Sequence, residues 1–332
     1  MANFKDVVGH EQVIMHLQNA LRQKKVSHAY LFSGEAGSGK RLLAEAFAKT
    51  LLCEEGGIEA CGKCKSCRQT ESGNQPDFKV VVREKASLGV KEIREQVTSD
   101  AQIKPYSSAY KVYLIDEAEK MTEEAQNALL KTIEEPPEYA VFLLLVTRQE
   151  LLLPTVLSRC ISLPLHPVAP EKVRRFLMEK KGIPDYLADS AAAFSGGLVG
   201  RAVQYAESES FTEQRRDVLQ VVKQGEALSM AELMDAVKLF SGKKDVAGEY
   251  LDMMLLWYRD VLLFKATKNA TGLLFLDEIN SISAQAAAYS FEKLQGIVER
   301  IEQVKQRLKA NVNYETAMEL LLFYIKEEER NT

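Results

Sequence analysis

Apolar positions along the chain alternate between helical spacing and short unbroken runs, and that alternation predicts the elements. From Glu11 to Arg22, Val13, Ile14, Leu17, Ala20 and Leu21 recur at helical spacing, which predicts an amphipathic helix. Ala29-Tyr30-Leu31-Phe32 is wholly apolar, and Leu42, Leu43, Ala46, Phe47 and Leu51 then mark a helix reaching about Leu52. Gly, Glu and Lys break the pattern between Cys53 and Cys67. Phe78 to Val82 reads as a strand, followed by a helix through Val90, Ile93 and Val97 that ends before Pro105. Val112 to Ile115 is the next strand. Thr122 then caps a helix through Ala125, Leu129, Leu130 and Ile133, stopped at Pro136-Pro137. Val141 to Val146 and Cys160 to Leu163 complete the strands. Short apolar strands alternating with helices predict a parallel α/β sheet covered on both faces.

The pattern changes after Pro164, where Pro164, Pro167 and Pro170 mark a boundary. Helices at about 171–181, 185–194 and 199–207 predict a small helical unit. From Phe211 onward only helical periodicity remains. Its best example is the stripe of Leu294, Ile297, Val298, Ile301, Val304 and Leu308. Such a stripe is bundle core first and a partner-facing surface second. The expected division is 1–165, 166–208 and 209–332.

Between the first strand and its helix lies Gly34-Glu35-Ala36-Gly37-Ser38-Gly39-Lys40-Arg41. Strand, glycine-rich turn, Lys and helix is the layout of a P-loop. Inward-turned backbone N–H groups and the helix N-terminus cradle phosphates, and Lys40 reaches the outer ones. The pattern G-x-x-x-x-G-K-[ST] fails only at its last position. Arg41 stands where a Ser or Thr hydroxyl would ligate Mg²⁺, and a guanidinium offers donors but no acceptor. A glycine turn without a ligand would share the glycines but not the strand before and helix after. Val112 to Ile115 runs directly into Asp116-Glu117. Alone, that pair reads as a solvated turn. About 75 residues past a P-loop lysine it reads as the metal-holding Asp and water-polarising Glu of a nucleotide site. Thr147, ending the next strand, is placed to sense a terminal phosphate. Arg159 precedes a strand in Ser158-Arg159-Cys160. It is either a surface charge or a guanidinium offered across a subunit boundary to a transferred phosphoryl group.

Cys53, Cys61, Cys64 and Cys67 fall as C-x7-C-x2-C-x2-C. Two-residue gaps let a tight knuckle supply a tetrahedron of thiolates, the set preferred by structural Zn²⁺. Lys63, Lys65 and Arg68 would offset the charge of such a site. Free thiols, a disulfide and an iron–sulfur cluster are the competing readings, although the Cys-Pro that commonly follows an iron–sulfur run is absent. Cys160 lies apart as an ordinary buried thiol.

Composition changes this picture little. With 332 residues, 46% hydrophobic and 27% charged, the chain is an ordinary globular one of two or three domains. A net charge of −4 argues against a chain that holds nucleic acid alone over a large basic face, but not against contact with DNA inside a complex. No run of 18 apolar residues occurs, and Met1-Ala2-Asn3-Phe4-Lys5-Asp6 does not read as a signal peptide, so a cytoplasmic location is expected.

Further segments extend these motifs in a fixed order. Ser27-His28-Ala29-Tyr30-Leu31-Phe32 leads into the P-loop, and Ser72-Gly73-Asn74-Gln75-Pro76-Asp77 follows the cysteines. Then come Asn127-Ala128-Leu129-Leu130-Lys131-Thr132-Ile133-Glu134-Glu135-Pro136-Pro137 and Leu153-Pro154-Thr155-Val156-Leu157-Ser158-Arg159-Cys160. Gly196-Gly197-Leu198-Val199-Gly200-Arg201-Ala202 and Arg307-Leu308-Lys309-Ala310-Asn311-Val312-Asn313 come last. In this order the chain resembles bacterial clamp-loader subunits of the AAA+ class, and most the delta prime line of DNA polymerase III.

The resemblance implies an α/β P-loop AAA+ domain with a zinc-knuckle insertion at 53–67, a helical lid at 166–208 and an all-α collar at 209–332. It implies a nucleotide site, degenerate at Arg41, on Gly34, Gly37, Ser38, Gly39, Lys40, Arg41, Asp116, Glu117, Thr147 and the lid's Arg201. It also implies a hetero-pentamer with delta and gamma/tau subunits, which opens the sliding clamp with ATP and loads it on primed DNA. In that complex Arg159 would serve a neighbour's ATP and the chain itself would be a stator. Polymerase chemistry would belong to the holoenzyme, and this chain would have little or no ATPase activity and weak ATP/Mg²⁺ binding. An ATP-hydrolysing gamma/tau-type motor is the alternative, with Gly37, Gly39, Lys40, Asp116 and Glu117 intact in its favour. A small-molecule kinase with a zinc lid would leave the collar and the Ser158-Arg159-Cys160 segment without a purpose.

Overall fold

The computed structural model describes residues 3–83, 85–241, 247–309 and 314–327. These residues divide into two compact units, Met1–Lys181 with Ser195–Val203, and Gly182–Phe194 with Gln204–Thr332.

The first unit is built on five parallel strands: β1 (Ala29–Ser33), β2 (Phe78–Val80), β3 (Lys111–Ile115), β4 (Ala140–Val146) and β5 (Ile161–Pro164). Their order is β2-β3-β4-β1-β5, so β1 lies between β4 and β5. Alternate side chains of one strand enter two different cores, which is why the strands read as unbroken apolar runs. Leu31, Tyr113, Ile115, Phe142 and Leu144 pack on one face with α6 (Glu123–Glu134). Tyr30, Phe32, Leu114, Leu143 and Leu145 pack on the other with α1 (Glu11–Arg22) and α2 (Lys40–Leu51). Tyr30 meets Phe47 of α2 edge-on at 5.1 Å, and Tyr113 stacks on Phe142 at 5.4 Å.

Three elements differ from expectation. The strand read over Phe78 to Val82 stops at Val80. Val82 instead exchanges two hydrogen bonds with the Gln96 side chain, 2.9 and 2.8 Å, and leaves the sheet. The single helix expected through Val97 is α4 (Val90–Ile93), a wider π turn (Arg94–Thr98) and α5 (Ser99–Ala101). A helix not expected, α3 (Lys65–Glu71), starts inside the cysteine cluster because the Cys64 sulfur accepts the Cys67 N–H at its first turn. Thr122 caps α6 through Ala125 N–H at 3.3 Å, as expected. The short α7 (Pro154–Leu157) precedes β5, and α8 (Pro170–Lys181) follows it.

The second unit is helical, with α9 (Asp185–Phe194), α11 (Glu209–Gln224), α12 (Met230–Ser241), α13 (Ala247–Thr267), α14 (Ile279–Ala288), α15 (Phe291–Lys309) and α16 (Tyr314–Lys326). α10 (Val199–Glu207) starts in the first unit and ends in the second. Its core centres on Trp257, Tyr250, Tyr258 and Phe275, and receives Leu294, Ile297, Ile301 and Val304 from the α15 stripe. Ala310–Asn313 lie outside the described residues. Among the described residues no helix is long and apolar enough to cross a membrane.

Candidate functional site

Strand order brings three loop ends to one sheet edge: β1 ends at the P-loop, β3 at Asp116 and β4 at Thr147. A cavity of about 410 Å³ opens there, lined by Gly37, Gly39, Lys40, Arg41, Asp116, Glu117, Thr147 and Gly200, among others. Gly37 (φ 85°) and Gly39 (φ 93°) take left-handed conformations that a side chain would strain. Gly37 also accepts the Gly200 N–H at 2.8 Å, and a Cβ on Gly37 would lie 3.0 Å from the Arg201 nitrogen. Arg201 thus meets the loop through its backbone. Gly34 and Ser38 are not among the cavity-lining residues. The Gly34 N–H anchors the loop to Val146 at 3.2 Å, and buried Ser38 gives its carbonyl to the His10 ring at 3.0 Å. Arg159 is absent from the lining as well.

Lys40 folds back on the loop, donating to the carbonyls of Gly34 and of Glu35, the latter at 2.9 Å. Burial draws its ammonium below the ordinary lysine value, although Glu119, Asp116 and Glu35 pull the other way. Arg41 does more than lack a hydroxyl. Its Nε donates to Glu45 at 2.9 Å and its Nη1 to Asp116 at 3.2 Å. The residue that would hold Mg²⁺ therefore faces a guanidinium, and the donor set does not fit that metal. Glu117, at φ 50°, is gripped by Lys120 and Arg83, each at 2.6 Å. The Lys120 hydrogen bond and then Arg83 hold its carboxyl below the usual glutamate range. Glu119 accepts the Thr147 N–H at 3.1 Å.

Glu45, Arg83, Glu119 and Lys120 were not read from sequence. Glu45 and Lys120 had a visible signal, their i,i+4 and i,i+3 spacings from Arg41 and Glu117.

The Sγ atoms of Cys53, Cys61, Cys64 and Cys67 lie within 4.8 Å of one another, with Cys61 and Cys67 3.9 Å apart. A tetrahedron of 2.3 Å metal–sulfur bonds has sulfur–sulfur edges of about 3.8 Å, so the set fits a metal ion. Backbone N–H groups of Lys63 (3.4 Å) and Cys64 (3.3 Å) point at Cys61 Sγ and draw its thiol down to about 7. Burial pushes Cys53 and Cys67 up in the protonated state. Lys49, buried in α2, pairs with Glu71 of α3 at 2.6 Å and ties the module to the P-loop helix. Cys160 lies apart, and burial pushes its thiol up to about 11.

Arg159 sits between α7 and β5 with its side chain 38% exposed. It donates to the Thr155 carbonyl at 3.0 Å and to Glu134 at 2.6 Å.

The family described as "DNA polymerase III, delta subunit" matches residues 9–169, and its C-terminal counterpart matches 209–327. Subunit tau of Bacillus subtilis is 32% identical over 82% of this chain, which spans 52% of that relative's length. Subunit tau of Escherichia coli is 36% identical over 70% of the chain, 38% of its own length. DNA polymerase III subunit delta' of Bacillus subtilis is 32% identical over 320 residues, which is 95% of this chain and 96% of that protein. Matched nearly end to end at that identity, the chain belongs to the delta' family of DNA polymerase III subunits.

Proposed function

We propose that the chain is a largely non-hydrolysing stator of a clamp loader, acting in DNA replication in the cytoplasm. It assembles with gamma/tau and delta subunits into a hetero-pentamer and, through that complex, meets the sliding clamp and primer–template DNA. Residues 166–208 form its lid and 209–332 its oligomerising collar. Arg159 is its arginine finger: it reaches a neighbour's ATP and stabilises charge on the transferred phosphoryl group.

The observation that carries this reading is the contact of Arg41 with Asp116. It turns the chain's own acidic anchor toward a guanidinium while Arg159 stays exposed. Nucleotide held on the loop amides, Lys40 and Arg201, with Thr147 at its terminal phosphate, would thus be bound rather than turned over. Cys53, Cys61, Cys64 and Cys67 hold one Zn²⁺. That ion supplies structure and no chemistry, because four protein ligands leave no position for water.

The second reading is an ATP-hydrolysing motor, favoured by the intact Gly37, Gly39, Lys40, Asp116 and Glu117. Steady-state ATPase separates the two. The stator has negligible turnover alone and raises that of gamma/tau when added; a motor turns over by itself.

A further inference from the structure

The misfit between Arg41 and Mg²⁺ carries a positive implication. We propose that Arg41 replaces the divalent cation, so that the cavity takes a nucleoside polyphosphate free of metal. This rests on the reading of the cavity as a nucleotide site.

A P-loop metal ion bridges an acidic side chain to phosphate oxygens and cancels their charge. Arg41 already occupies the first half of that bridge, donating to Asp116 at 3.2 Å from the first turn of the P-loop helix. Glu45, one helical turn on, holds Nε at 2.9 Å and aims the planar group. Among the described residues, two of its five N–H donors are thus engaged. Three remain for an anion, in the fork geometry that suits phosphate oxygens. Lys40 is the second cation of the cavity, and it donates to the loop carbonyls of Gly34 and Glu35. The Arg41 side chain is 57% exposed and Asp116 is 35% exposed, so an incoming phosphate shares the guanidinium at little cost. A hydrated divalent cation would meet that guanidinium where it needs a carboxylate and a hydroxyl. Free nucleotide, with its full negative charge, matches Lys40 and Arg41 better than the metal complex does.

Calorimetric titration of the purified chain with ADP, in excess Mg²⁺ and in buffer cleared of Mg²⁺ by dialysis, tests this directly. The expected result is binding without Mg²⁺ at least as tight as with it. Arg41→Thr should weaken binding without Mg²⁺ by about tenfold or more and make it depend on Mg²⁺. Wild-type binding that requires Mg²⁺ overturns the inference, as does unchanged affinity of Arg41→Thr without Mg²⁺. If Arg41→Thr binds Mg²⁺–ADP while the wild type binds nothing, Arg41 only blocks the site. The pocket reading then survives and the inference does not. Failure of both proteins to bind in either condition removes the pocket reading and the inference together.

Discussion

The guanidinium of Arg159 rests against the carboxylate of Glu134, Nη2 2.6 Å from Oε1, at the end of α6. Both side chains are nearly two-fifths exposed, and ion pairs of that kind contribute about 0–1 kcal/mol. The Arg159–Glu134 pair therefore costs little to break.

In the assembled clamp loader, Arg159→Ala should leave folding, metal content and assembly unchanged. Hydrolysis at the neighbouring site should fall by a factor on the order of 10³, and less when averaged over several sites. Arg159→Lys should restore little, since a point charge on a flexible stem does not reproduce a planar fork. Clamp-stimulated ATPase and loading assays decide this. Wild-type rates from an assembled alanine variant would reduce Arg159 to a surface charge.

The isolated chain should turn over ATP negligibly, because Arg41 faces Asp116 and Glu117 is held by Arg83 and Lys120. Phosphate release measured with the Asp116→Ala variant as control is the check. Mg²⁺-dependent turnover that vanishes in the variant would favour the motor reading.

Elemental analysis of freshly reduced protein should find one zinc per chain and no iron. X-ray absorption should give sulfur–metal distances of about 2.3 Å. Stripping the metal with a chelator should lower the thermal midpoint. The Lys49–Glu71 pair carries the disturbance toward α2, so protection of α2 amides from hydrogen exchange should fall as well. Iron, or a metal-free protein of full stability, would refute the assignment.

Asp77 offers a test of stability against pH. Its buried carboxylate accepts the N–H groups of Tyr106 (2.5 Å), Ser107 (2.8 Å) and Ser108 (2.9 Å). Burial works against the charge, but these donors outweigh it and hold the pKa below the ordinary aspartate value. A depressed folded pKa contributes stability above the unfolded value of about 3.9, and that stability is lost as pH falls through the folded one. Asp77→Asn should therefore cost about 1–3 kcal/mol at neutral pH, and the gap should narrow in acid. Denaturant midpoints measured across that range would show a constant gap if the charge were irrelevant.

What the sequence made legible follows from interaction range. The bounds of α1 agree with its apolar spacing because one face decides them. The run from Ala140 to Val146 is buried throughout, so its pattern needed no partner to be read. The cysteine spacing likewise lies within one local knuckle. By contrast, Arg41–Asp116 and Arg83–Glu117 join segments that meet only once β2, β3, β4 and β1 are ordered in space. Val82 left the sheet for the Gln96 side chain, a competitor that strand propensity does not register. α3 was hidden because its capping group is a cysteine sulfur, not one of the usual oxygen caps.

The position of β1 also governs how the protein emerges from the ribosome. Among the described residues β1 is the first strand in chain order, yet its two neighbours are β4 and β5. Roughly a hundred further residues must be made before either exists, about 5–20 s at common elongation rates. Gly34 N–H, which sets the phosphate loop through Val146, waits just as long. Throughout that interval the nascent chain carries Ala29-Tyr30-Leu31-Phe32 as an apolar segment without its sheet neighbours.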